Sequence, residues 1–162
     1  MKYAILTIIL ICTSCSTTNI SKFPNSKNKE EAEVYIYRTP SFAAGGSKAI
    51  FGANIENYVV LGNGDYSKLR LKSGQYNFFV KDKPFMDLIS IKGDPYSKEI
   101  SLRKRDKKCL SIYPNKKKIV TDAVIGIPST LGSIFKLEEI QCPKQEGVID
   151  GKQYKLQSVQ YE

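Results

Sequence analysis

Residues 33–81 fall into five short β-rich runs, three of which alternate apolar and polar side chains, each run separated from the next by turn residues. The first run sets Val34, Ile36 and Arg38 on one face and Tyr35, Tyr37 and Thr39 on the other. A period of two belongs to a strand with two distinct faces. Runs at 48–55 and 58–61 follow. Leu69 and Leu71 then alternate with Lys68, Arg70 and Lys72, and Tyr76, Phe78 and Val80 alternate with Asn77, Phe79 and Lys81. Gly62, Gly64 and Gly74 stand between runs, where tight turns call for positive φ. Turns about 10 residues apart, with no room for a helix between them, mark a sandwich or barrel. The pattern therefore predicts an all-β fold: an antiparallel β-sandwich of about seven to nine short strands in one domain. Its core is expected to collect Val34, Ile36, Leu69, Leu71, Tyr76, Phe78, Val80, Leu110 and Ile112.

Further strands are expected at 88–92, 96–103, 109–113, 135–142 and 153–161, with a polar turn over 103–108. Lys116, Lys117 and Lys118 read as a second solvated turn, at the other end of the 109–113 strand. Residues 119–135 break the rhythm. They are rich in apolar side chains, yet Gly126, Pro128 and Gly132 interrupt them and argue against a long helix. Two readings stay open. The segment is a covering loop, with room for a short helical turn, that closes one end of the sandwich, or it offers Ile125, Ile127, Leu131 and Ile134 to a partner. Exposure decides between them.

The beginning of the chain is of another kind. Lys2 precedes an apolar run over 4–11, and Ser14-Cys15 follows shortly after. The run has the length of a secretory signal and is too short to span a bilayer. It resembles the leader of bacterial lipoproteins, which implies a thioether-linked diacylglycerol and an N-acyl chain such as palmitate on Cys15. Residues 1–14 are then a signal peptide, 15–31 the lipidated N-terminus with a flexible Ser, Asn and Lys-rich tether, and 32–162 the sandwich. Two or more acyl chains hold a protein stably on a membrane. Ser16 after the cysteine, rather than Asp, points by analogy to the outer membrane. The expected location is the bacterial cell envelope, facing the periplasm.

Val34-Tyr-Ile-Tyr-Arg38, Tyr58-Val-Val-Leu61, Gly64-Asp65-Tyr66 and Lys72-Ser73-Gly74-Gln75-Tyr76 together resemble the DUF2846 family of short bacterial lipoproteins. Glu56-Asn57 stands where that family tends to have Asp-Gly, and Ser73-Gly74 where it tends to have Pro-Gly. The resemblance covers roughly residues 32–115. It implies fold and location only, since the family has no assigned activity.

Composition narrows the chemistry. The 162 residues include no His, which removes the commonest general base and the commonest metal ligand. No metal or other cofactor is expected. Once the leader is removed and Cys15 carries lipid, Cys109 and Cys142 remain as an even pair in an oxidising compartment. A bond between them would close a loop worth about 3–4 kcal/mol in the chain-entropy model. Two buried thiols are the alternative. The carboxylates are scattered near turns, and nothing singles out an acid–base pair. Tyr35, Tyr37, Tyr58, Tyr66, Tyr76 and Tyr113 are either half-buried strand residues or the lining of a carbohydrate or peptide surface. The net charge of +9 shows no single-faced pattern. The expectation is a non-catalytic binding or structural module of the envelope, partnered by a protein, a glycan or anionic lipid. A small carboxylate-based envelope hydrolase is the alternative. Nucleic acid is not an expected partner of an exported chain.

Overall fold

The computed structural model describes residues 30–42, 46–83, 94–125 and 133–157. The expected leader, Cys15, the expected tether and the strand expected at 88–92 lie outside these residues.

The elements run β1 (Ala32–Arg38), β2 (Lys48–Ala53), β3 (Glu56–Leu61), β4 (Asp65–Leu71), β5 (Gly74–Lys83), β6 (Tyr96–Leu102), β7 (Lys107–Pro114), α1 (Lys116–Ile125), β8 (Phe135–Ile140), β9 (Val148–Ile149), β10 (Lys152–Gln153) and β11 (Lys155–Leu156). One sheet has the order β11-β4-β1-β7-β8 and the other β3-β2-β5-β6, while β9 and β10 form a small hairpin. The fold is all-β. The inward faces of the two large sheets share one core, and all nine expected core residues belong to it, with Tyr76 only partly buried. The sheets approach at both rims, β3 beside β4, and β8 beside β5 and β6.

Two expectations require correction. The sandwich is not purely antiparallel: β1 pairs with β7 in parallel, and β11 pairs with β4 in parallel. A parallel neighbour needs a long crossover. Here the chain builds the whole second sheet between β1 and β7, so it returns in the same direction. Side-chain alternation carries no information about strand direction.

The second correction concerns Lys116, Lys117 and Lys118, which open α1 instead of forming a turn. Asn115 accepts the first helical bond from the Ile119 amide and donates its own amide to Ile134 O, 2.7 Å away. It thereby ties the helix start to the start of β8. Ile119 packs on the core, while Val120 is exposed. The described part of α1 runs to Ile125, and Gly126 and Pro128 lie outside the described residues.

The core has two distinct ends. At the tether end, Ala32 lies opposite Leu71, Glu33 opposite Lys107, and Gly74 opposite Leu102. At the far end, Arg38 fills the space that apolar side chains fill elsewhere, only 1% exposed. Its guanidinium donates to Leu61 O at 2.8 Å and lies 4.8 Å from the Phe135 ring centre. Burial pushes its pKa down, and the Asp65 charge opposes that. Asp65 itself accepts the Gly62 amide at 2.6 Å and closes the turn before β4. Asp82 accepts from the Ser133 hydroxyl at 2.7 Å and from the Ile134 amide, joining β5 to the start of β8.

Candidate functional site

After β8 the chain does not rejoin the second sheet. It crosses the outer face of the five-stranded sheet as a strap, from β8 at one edge to β4 at the other, where β11 adds on. That face alternates out of register with the core, so β1 presents Tyr35 and Tyr37 to it. Tyr35, Tyr37, Tyr66, Cys109 and Tyr154 make a second buried cluster, with Ile140, Cys142 and Ile149 packed against it. Tyr37 stacks on Tyr66 at 5.4 Å between ring centres and meets Tyr154 edge-on at 5.5 Å. Aromatic pairs in these geometries add roughly 0.5–1.5 kcal/mol beyond their buried area. Burial pushes the Tyr37 hydroxyl pKa up, although a backbone hydrogen bond with Gly147 pulls the other way. Gly147 has φ +77°, and a Cβ there would meet the Tyr66 ring at 3.1 Å. Both facts favour glycine where the strap passes over the ring.

Two ties hold the strap. At one side Cys142 is bonded to Cys109 on β7, with Cα atoms 5.1 Å apart. At the other, Lys155 N donates to Gly64 O at 3.0 Å, Gln157 N to Tyr66 O at 2.8 Å, and the Ser67 hydroxyl to Gln157 O at 3.1 Å.

Towards the tether end the same face becomes charged. Cross-strand register sets Arg70, Glu33 and Lys107 in one row and Lys68, Tyr35 and Cys109 in the next. Glu33 pairs with Lys68 at 2.9 Å and Arg70 at 3.6 Å, and its other oxygen accepts the Tyr35 hydroxyl at 3.0 Å. The Lys68 and Lys107 ammonium groups lie 4.9 Å and 4.8 Å from the Tyr35 ring centre. Burial alone would raise the Glu33 carboxyl. The hydrogen bonds from Lys68 and Tyr35, with the charges of Lys68 and Arg70, outweigh it and hold the pKa below its ordinary value.

A shallow groove of about 400 Å³ lies on the outer face of the other large sheet, lined by Asn54, Gln75, Asn77, Glu99 and Ser101 among others. It suits hydrogen bonding to a neutral polar ligand, and Glu99 is its one carboxylate. Other carboxylates have architectural partners: Asp65 and Asp82 as above, Asp106 with the Arg103 amide, and Glu139 with Lys108. Among the described residues, no group of three or more His, Cys, Asp or Glu side chains could hold a metal ion.

The residues singled out from sequence fare unequally. Cys109 and Cys142 come together. Tyr35, Tyr37, Tyr58 and Tyr66 are buried, which rules out a common tyrosine-lined surface. Of the suggested partner surface, Ile134 is half-buried against the core. Ile127 and Leu131 lie outside the described residues, as does the side chain of Ile125, the last residue of α1. Of the strap, the sequence reading held only the Cys142 tie and one strand over 153–161, where the described residues carry two short ones, β10 and β11; its path across the sheet was missed. Its signal was present in Gly147, Asp150 and Gly151, all with positive φ, among the apolar Val148, Ile149 and Tyr154. No family model matches the chain, and no curated protein matches it.

Proposed function

We propose that this protein is a membrane-anchored lipoprotein of the bacterial cell envelope, held by lipid on Cys15, whose sandwich acts as a non-catalytic binding or structural module. The observation that carries the reading is the Cys109–Cys142 pair at bonding distance. Disulfides persist outside the reducing cytosol, in compartments such as the periplasm. The Lys2, apolar run and Ser14-Cys15 sequence supplies the route there and the anchor. The reading rests on these residues and not on kinship. Ser16 after the cysteine, rather than Asp, supports by analogy the outer membrane, facing the periplasm.

The test is metabolic labelling with palmitate in a bacterial host, followed by membrane fractionation. The wild type should carry label and sediment with membranes. Cys15→Ser should carry none. Equal labelling of the two, or a soluble wild-type protein, would overturn the reading.

A further inference from the structure

We infer that the tether end of the sandwich is a cationic rim that docks on the anionic phospholipid headgroups of the membrane to which the chain is anchored; this rests on the lipoprotein reading above. Three turns and strand ends converge there, although they are distant in sequence. Lys72 follows β4, and the 103–106 turn joins β6 to β7. Register brings them together: Gly74 lies opposite Leu102, and Glu33 lies between Arg70 and Lys107. Arg70, Lys72, Arg103, Lys104, Arg105 and Lys107 are all exposed. The turn that presents the middle three is held in shape. Asp106 accepts the Arg103 amide at 2.8 Å, Asp106 O accepts the Glu33 amide at 2.7 Å, and Arg105 sits at φ 62°.

Carboxylates are present as well. With the half-buried Lys68 counted among the cations, and Glu146, which accepts the Tyr35 hydroxyl at 3.4 Å, among the anions with Glu30, Glu31, Glu33 and Asp106, the rim is two charges positive, while Lys108 and Glu139 pair and cancel. The second observation is where the chain enters. Glu30 is the first described residue, and its carboxylate meets Lys104 at 2.7 Å, so the tether joins the sandwich at this rim. Between Cys15 and Glu30 the sequence carries Lys22, Lys27 and Lys29 and no carboxylate. The path from lipid to rim is thus cationic along its length.

Distance decides whether this charge can act. A chain of about 15 residues with random-coil statistics has a root-mean-square reach of roughly 20 Å. The Debye length at physiological salt is about 8 Å. An undocked rim is therefore mostly screened from the surface, and a docked one is not. Each Lys or Arg near an anionic surface contributes about fivefold to binding. The far end also carries lysines, among them Lys48, Lys83 and Lys116. Strands of about seven residues hold them roughly 20 Å further away, which makes them the natural control.

The experiment uses the full-length protein, purified from membranes and reconstituted in vesicles. A donor dye is attached to a cysteine introduced by Ser73→Cys, and acceptors sit on the headgroups. The mass of the Cys15 peptide is read first. Energy transfer is then compared between vesicles containing phosphatidylglycerol and vesicles of phosphatidylcholine alone. Transfer should be high on the anionic vesicles, low on the neutral ones, and should fall as salt rises. Lys72→Gln/Arg105→Asn/Lys107→Gln should lower the docking equilibrium constant on anionic vesicles by about a hundredfold. Lys48→Gln/Lys83→Gln/Lys116→Gln, which removes equal charge, should leave it unchanged. Thermal melts confirm that both variants fold. A chain without lipid on Cys15 overturns both readings. A lipidated chain whose transfer ignores headgroup charge, or responds equally to both variants, overturns this one alone.

Discussion

Replacing Gly52 by alanine tests how the second sheet is packed on its outer face. Gly52 sits at the register shift in β2, opposite Asn57 on β3 and Phe79 on β5. The Phe79 ring lies across it and is only 7% exposed, although it points away from the core between the sheets. Lys81 extends over the other part of the ring, 5.6 Å from its centre. A Cβ at Gly52 would fall 2.1 Å from Glu56 O and 2.5 Å from Phe79 Cζ. The ring can swing away, but the carbonyl belongs to Glu56 at the start of β3, paired with Ala53, and moves only if the pairing opens. Overpacking of this kind costs typically about 1–3 kcal/mol. Expelling the ring forfeits part of the roughly 1.5–3 kcal/mol that its burial contributes. A loss of about 3 kcal/mol is therefore expected, which lowers Tm by roughly 10 °C for a domain of this size. Urea unfolding followed by circular dichroism measures it, with the m-value held constant. In Gly52→Ala/Phe79→Ala the ring collision is gone while the carbonyl collision remains. The double variant should then lose clearly less than the two single losses added together. A Gly52→Ala protein within about 0.5 kcal/mol of wild type, the range of an unremarkable surface change, would refute the packing argument, as would strict additivity.

Two further outcomes follow from the strap and from the buried tyrosines. Cys109→Ala/Cys142→Ala should lose about 3–4 kcal/mol, because the bond closes a loop with a sequence separation of 33. Its β spectrum should persist, since neither cysteine belongs to the main core. Hydrogen exchange should accelerate at Val148 and Tyr154 before it does at Phe78, and uniform acceleration would show that the bond holds more than the strap. Tyr58 has its pKa pushed up to about 12, chiefly by burial, with Glu56 and Tyr76 adding to it. A raised folded-state pKa contributes stability that is whole below the unfolded value near 10 and is lost as pH climbs towards 12. Tyr58→Phe should therefore flatten the decline of the urea midpoint between about pH 10 and pH 12, and an unchanged slope would refute the assignment.

Much of the sandwich was legible in the sequence because alternation is a local property. Val34 and Ile36 face the core for the same reason that Leu69 and Leu71 do, and the pleat alone dictates it. The Cys109–Cys142 pair was legible too, given the expectation that Cys12 leaves with the leader and Cys15 carries lipid. Three things depended on the assembled chain. Strand direction was one: β7 lies parallel to β1 because an entire sheet intervenes between them. The fate of Arg38 was another. Its alternation put a charge on the core face, and partners brought from other segments, Leu61 O, Phe135 and Asp65 among them, make that position tenable. The last was the outer face of the five-stranded sheet. Tyr35 and Tyr37 have the pattern of half-solvated strand residues, yet they are buried because a strap more than a hundred residues later is clasped over them. A residue's neighbours along the chain set which way its side chain points. What covers that side chain is set by segments distant in sequence, and no local period encodes their arrival.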